Sequence, residues 1–565
     1  MSTKKFCSRG AVILSLLLTL ASCGGGGGSG GSNGSGGVLP AISGAGTWPP
    51  AVDLNTNSTC VTAALKAAAG STTYNVGPGQ TYPDLSTVPW LSLKAGDVVN
   101  IYYRPQPYAT IIAITARGTA TSPVVINGVT DSSCNRPVIT GNNAAIASDA
   151  LNSGYWTSNP GSYFLGNGLL NFAWASGVAA SPETEPSYII IQNLAITGAK
   201  TGNTYTAPDG STAHWSGSSG IYAVDFSHVT IQNCLIYGND SGVFFNSQDS
   251  PRTSSYVTLR QNIIYANGMS GNYGAHNVYG QGYRTLYEGN WLGQEIPGAL
   301  GSTLKDRSSG TVIRYNYIVS SSRAIDLVDS EADPTVLQDP LYNYAWLYGN
   351  VIIDDFSLPG MPSADPIHWG GDSGNTANYR VGTLYFYFNT VVVRNISGSG
   401  LLANPEFGLF DMSLPSDTVE ARSNIFDFSG DSGYWPVAMG LCCGTINLDD
   451  NNWLTNGVVW QQPATTSQGT LIVHTAGTVI YGTDPGLTSS LLPGSSSPVL
   501  GQGILAPTSV SVAGLSLANL QPTAEYGTRL STPTSPGGEP SVIPRGSIST
   551  IGAMEEGMLR ESPGQ

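Results

Sequence analysis

"GTVIRYNYIVSS", residues 310–321, decides the fold: a β-rich run, an asparagine at 316, then a second β-rich run. The unit recurs along the chain. "YIIIQNLAITG" (188–198), "HVTIQNCLIYGN" (228–239), "YVTLRQNIIYAN" (256–267) and "RTLYEGNWLG" (284–293) precede it. "YAWLYGNVIIDD" (344–355), "LYFYFNTVVVRN" (384–395) and "ARSNIFDF" (421–428) follow. Their asparagines are Asn193, Asn233, Asn262, Asn290, Asn316, Asn350, Asn389 and Asn424, spaced by 40, 29, 28, 26, 34, 39 and 35 residues. Hairpin strands return after a few residues, so these spacings exclude a meander. They suit one full turn of a coil carrying two or three short strands and a loop of variable length. Asparagine tolerates left-handed backbone, and its amide can bond the equivalent amide one coil away. The asparagine column is therefore a structural device with no part in catalysis.

Outward from this core, the chain opens with Lys4, Lys5 and Arg9 ahead of the apolar run "AVILSLLLTLASC". Residues 1–22 read as a secretory signal peptide. "LASC" resembles a bacterial lipobox, which implies lipidation of Cys23, a membrane anchor and a cell-envelope location. Residues 23–45 are a glycine- and serine-rich tether with almost no side chain to bury. A cap segment (46–72), a coil body (73–525) and a C-terminal extension (526–565) follow. Seventy-one glycines, 28 tyrosines and only 10% charged residues suit strands joined by tight turns. A net charge of −15 argues against nucleic acid, whose phosphates demand a broad basic surface. In an oxidising compartment a Cys60–Cys134 bridge is expected, while Cys234, in an apolar pattern, reads as a small buried hydrophobe.

The repeat resembles the right-handed parallel β-helix of the pectate-lyase-like superfamily, over roughly residues 73–555. "YNVGPGQTYPDLSTVPWLSLKAGDVVNIYYRPQPY" (74–108) and "TSPVVINGV" (121–129) are similar to the opening coils of its secreted bacterial members. "DPGLTSSLLPGSSSPVLGQG" (484–503) and "ISTIGAMEEG" (548–557) are similar to their closing segments. The resemblance implies an all-β, single-stranded, right-handed solenoid.

If asparagine sets the register, Lys305 and Tyr279 stand equally far before Asn316 and Asn290, and so do Arg307 and Gln281. Strand side chains alternate between faces. With Val278, Leu304, Ile325 and Ile367 inward, Tyr279, Lys305, Asp326 and His368 form an outward column, flanked by Gln281, Arg307 and Arg323. We expect this column to be a solvent-open groove floor. Arg314 is explained otherwise, by an ion ladder with Glu288 and Arg260.

β-Elimination from a uronic acid needs a base for the proton beside the carboxylate, a cation for that carboxylate and an acid for the leaving oxygen. Lys305, its pKa lowered by Arg307, or Tyr279 as tyrosinate could be the base. Arg307 or Arg323 could hold the carboxylate. "LKDRSSGTVIRYNYI" (304–318) with Arg323 also resembles the lysine-then-arginine arrangement of alginate and chondroitin lyases on this fold, which implies Lys305 as base and Arg323 as helper. Where those lyases carry calcium-binding glutamates this chain has "GALGST" (298–303). No cofactor is expected, calcium at Asp326, Asp329, Glu331 and Asp333 being the one alternative. Gln281, Asp326, His276, His368 and Trp369 are the expected substrate contacts, Trp369 as a sugar platform. The expected partner is an acidic polysaccharide or other glycan, met by a monomer. The alternatives are a non-catalytic glycan-binding or structural surface lipoprotein, and a glycoside hydrolase working through two carboxyl groups.

Overall fold

A computed structural model describes residues 48–555, apart from the stretches 55–59, 359–364, 397–407, 431–437, 462–469 and 529–537 and some shorter ones. The expected signal peptide, Cys23 and the tether lie outside the described residues. Short strands succeed one another and pair in parallel with the strand one coil away. They build three long sheets of 13, 12 and 11 strands. The chain is a right-handed parallel β-helix. Ladder strands run from Thr73–Val76 to Val479–Gly482, short of the residue 525 expected from sequence.

Inward side chains of all three sheets fill one continuous core, from Val76 through Ile313 and Ile325 to Leu454. The asparagines sit at the turn between two sheets. Asn262, Asn290, Asn316, Asn350, Asn389, Asn424 and Asn452 are fully buried. Each carboxamide but the last donates to the next one's oxygen, at 2.9–3.2 Å. That oxygen also accepts the preceding asparagine's backbone N–H, as Asn316 does from Asn290 at 2.9 Å.

Asn193 and Asn233 do not belong to this column. Arg260 pairs with Gln232, so Asn233 stands opposite Gln261, and Cys234 opposite Asn262. Asn193, Asn233 and Gln261 occupy the left-handed position just before, with φ of 63°, 49° and 52°. The expected single column is thus two adjacent ones. The interval of 29 between Asn233 and Asn262 contains the one-residue slip.

Cys60 and Cys134 form a disulfide. Cys234 is buried in the core. The C-terminal residues run back along the outside of the coils. Tyr526 packs near Tyr317, Val542 joins the cluster of Leu286 and Tyr315, and Glu539 pairs with Arg136 403 residues away in sequence. Beyond the last coils expected from sequence, the extension spans the middle of the solenoid. Among the described residues no helix is long and apolar enough to cross a membrane.

Candidate functional site

The 12-stranded sheet carries the site. Its strands Val278–Gly280, Ser302–Asp306, Arg323–Leu327, Ile367–Trp369 and Gly408–Met412 lie side by side. Their register places Tyr279 against Lys305, Lys305 against Asp326, Asp326 against His368, and His368 against Asp411. The apolar neighbours Val278, Leu304, Ile325, Ile367 and Phe410 point into the core, so the column faces outward. Asp306 faces inward and is capped by the Tyr287 hydroxyl at 2.7 Å.

Outward here does not mean exposed. Lys305, Arg307, Asp326 and His368 retain only 3–7% of their surface, which corrects the expected solvent-open face. Cover comes from loops that follow the strands. Gly370 and Gly371 end the Ile367–Trp369 strand and deliver Asp372 over the column. A Cβ at Gly371 would fall 2.2 Å from the Tyr379 ring, so only glycine lets the loop pass so close. Asp329 Oδ1 accepts the Asp372 N–H at 2.8 Å and fixes the loop tip.

Every cation is paired. Lys305 Nζ lies 2.8 Å from Asp326 Oδ2 and forms a closer pair with Asp372. Arg307 reaches Asp372 at 2.7 Å and Glu331 at 3.3 Å, and donates to the Asp329 carbonyl. Arg323 reaches Asp411 at 3.0 Å, Asp326 at 3.4 Å and Asp365 at 3.7 Å. His368 joins Asp326 through Nδ1 at 2.8 Å and Ser413 Oγ through Nε2 at 3.0 Å. With the Asp329 carboxylate 3.7 Å from Arg307, six carboxyl groups meet three permanent cations and one histidine.

These pairings set the protonation states. Burial by itself would lower the Lys305 pKa and Arg307 adds to that, but Asp326 and Asp372 outweigh both and raise it. The expected lowered lysine is corrected: Lys305 is a firmly held ammonium. Tyr279 is pushed up by burial, against the pull of Arg307 and Lys305, so it stays a phenol. Burial would raise Asp372, yet Lys305 leads the influences that bring it below the usual carboxylate range. His368 is raised, because Asp411 and Asp326 overcome burial and Arg323. Burial in a cluster of carboxylates lifts Asp365 to about 7.

Three expected contacts are engaged elsewhere. Gln281 donates to Asn246 at 2.7 Å and accepts the Glu331 N–H at 3.0 Å, tying a loop to the sheet. His276 is buried beside Lys305 and accepts the Ser302 N–H through Nδ1 at 2.8 Å. Its pKa falls to about 3, chiefly through burial, so it is neutral and structural. Trp369 is fully buried in the core: with His368 outward, alternation sends its neighbour inward, and it offers no sugar platform. Arg314 pairs with Glu288 in its ladder.

Calcium does not fit. Asp326 is held by Lys305, Asp329 by the loop amides, Glu331 by Arg307, and Asp333 by Ser247 and Thr335, so each acid is already engaged by a partner of its own. Among the described residues no group of three metal-binding side chains converges.

Asp372, Asp411 and Ser413 were missed. The alignment that placed Ile325 and Ile367 inward extends to Phe410 in "GLFDMS" and would have placed Asp411 outward. Asp372 and Ser413 lie beyond strand ends, where no alternation reaches.

The family described as "Right handed beta helix region" matches residues 176–341. No curated protein matches the chain in sequence. Among solved structures, an alginate lyase from Paenibacillus sp. str. FPU-7 is similar at 15% identity, over 73% of this chain and 100% of that one, with a TM-score of 0.38. A GH136 lacto-N-biosidase from Eubacterium ramulus shows 12% identity over 72% and 68%, also at 0.38. Pectate lyase Pel9A shows 12% identity over 80% and 96%, again at 0.38. At such identities and scores the likeness says nothing about chemistry.

Proposed function

We propose that the protein is a carbohydrate-active enzyme of the cell envelope that cleaves an acidic polysaccharide by β-elimination. One observation carries this reading: Lys305 and Arg307 converge on a single carboxylate, that of Asp372, presented from a loop. A uronate carboxylate offers the same charge and the same two oxygens, so it can take Asp372's place on Arg307 with charge pairing preserved. Lys305 then keeps only Asp326 as partner and its pKa falls. It releases its proton to solvent and, as the free amine, takes the proton beside the neutralised carboxylate, while the Tyr279 phenol, one coil away, gives a proton to the leaving oxygen. Arg323 acts as helper by holding Asp326 in place.

A second reading, hydrolysis, is favoured by Asp326 and Asp372 flanking one ammonium. Two hydrogen-bond lengths put their oxygens at most about 5–6 Å apart, near the separation of a retaining pair. Both carboxylates are held ionised or paired, so that pair lacks its acid, and elimination is preferred.

Incubation with a panel of uronate polysaccharides tests the reading. Ultraviolet absorbance of an unsaturated product supports elimination. New reducing ends without that absorbance mean hydrolysis, and saturable binding without cleavage means a glycan-binding protein. The envelope location rests on Cys23. A fatty-acid probe should label the protein there, and membrane association that survives Cys23→Ala sinks the anchor.

A further inference from the structure

The proposed cleavage makes no use of Ser413. It lies just past the Gly408–Met412 strand, two residues beyond Asp411, and its hydroxyl turns back toward the neighbouring coil. There Oγ stands 3.0 Å from His368 Nε2, while His368 Nδ1 stands 2.8 Å from Asp326 Oδ1. Hydroxyl, imidazole and carboxylate thus follow one another in the order that activates a serine: nucleophile, base, orienting acid.

The surroundings match those roles. Asp326 and His368 are buried, whereas Ser413 is partly exposed just past the end of its strand. Asp417 Oδ2 accepts the N–H groups of Ser413 and Leu414 at 3.0 and 2.8 Å and fixes the turn. The Gly371 N–H donates to Oγ at 3.0 Å and holds the hydroxyl in place. The Ser413 hydroxyl also donates to the Gly371 carbonyl at 2.9 Å, so its one proton turns to His368 Nε2 when that bond is exchanged. Arg323 Nη1, always a donor, stands 2.8 Å from His368 Nδ1, so the tautomer with Nδ1–H on Asp326 requires Arg323 to give its N–H groups to Asp326, Asp365 and Asp411. With the Nδ1 proton donated to Asp326, the Nε2 lone pair faces the serine hydroxyl.

We propose that Ser413, His368 and Asp326 form an ester-hydrolysing triad that removes short acyl groups from sugar hydroxyls in the groove. Ser413 Oγ bonds to the acyl carbon as its proton passes to His368 Nε2. The imidazolium returns that proton to the departing sugar oxygen, leaving an acyl-serine. Water, deprotonated by His368, then releases the carboxylic acid and restores the hydroxyl. The choice of a sugar ester rests on the glycan reading above; the esterase chemistry does not.

The test uses a fluorophosphonate probe and p-nitrophenyl acetate, with no polysaccharide present. Wild type should be labelled, with the adduct mapped by mass spectrometry to Ser413. Ser413→Ala should lose labelling and at least about 100-fold in ester hydrolysis, with thermal unfolding measured alongside. Mapping the adduct on wild type decides the matter even if the variant folds poorly. No adduct, an adduct on another serine, or a folded Ser413→Ala that hydrolyses as fast as wild type overturns the triad. Because uronate cleavage is read separately, its failure leaves the triad standing, and failure of the triad leaves the cleavage reading standing.

Discussion

Replacing Asp372 by asparagine removes the one charge that Lys305 and Arg307 share, while keeping the side chain's shape. A hydrogen bond to a charged group contributes about 1.5–3 kcal/mol, and one pKa unit corresponds to about 1.4 kcal/mol. The Asp372 side chain keeps 29% of its exposure, so solvent screening places the stabilisation it gives the Lys305 ammonium at the low end, about 1.5 kcal/mol. The direction follows from the raised pKa of Lys305. Folding favours its ammonium, so the stabilisation is complete below the ordinary lysine pKa and fades as pH rises through the raised value. In Asp372→Asn the stabilisation is smaller and its fading ends at lower pH. Acylation of Lys305 by an amine-reactive ester, followed across pH by peptide mass spectrometry, reads this directly. The midpoint should fall in the variant, and the alkaline rise in polysaccharide cleavage should move down with it. An unchanged midpoint in a folded variant would mean that Asp372 does not hold Lys305, and the carboxylate-exchange argument would fail.

Asn316→Ala should cost about 2–4 kcal/mol in urea unfolding, because it strands the Asn290 N–H and carboxamide and breaks the donation to Tyr287 O; a loss below about 0.5 kcal/mol, the size of an ordinary surface change, contradicts the ladder. Trp369→Ala should destabilise by about 3–5 kcal/mol through the cavity it leaves in the core; a variant of full stability that has lost glycan binding would return Trp369 to the groove. Glu288→Gln leaves Arg314 buried without its carboxylate and should cost about 3–5 kcal/mol, and an unchanged unfolding midpoint would show that the ion ladder contributes nothing.

The coil was legible because each turn buries the same positions against its neighbours, so the same residue types must recur at each turn. The column Tyr279–Lys305–Asp326–His368 was legible for a related reason. Parallel in-register pairing turns a position in the chain into a place on a face, and alternation chooses the face. The slip at Asn233 shows the limit of such counting: two adjacent turn positions both accept asparagine, one for its left-handed backbone and one for its carboxamide. The protonation states were not legible. Lys305 and Arg307 stand close in the chain, which suggested mutual repulsion and a lowered lysine. Asp326 and Asp372, 21 and 67 residues further on, reverse that sign. Nor could local sequence reveal that Ser413 meets His368, since the contact depends on how two strand-terminal turns fold back over the same sheet. The amino-acid sequence by itself determined the solenoid, its register across the coils of Tyr279 to His368 and the row of side chains on their outer face, because those follow from local periodicity. Only the tertiary structure decided which of those side chains are covered, paired and charged, because burial and Coulomb interactions act between coils and loops remote in sequence.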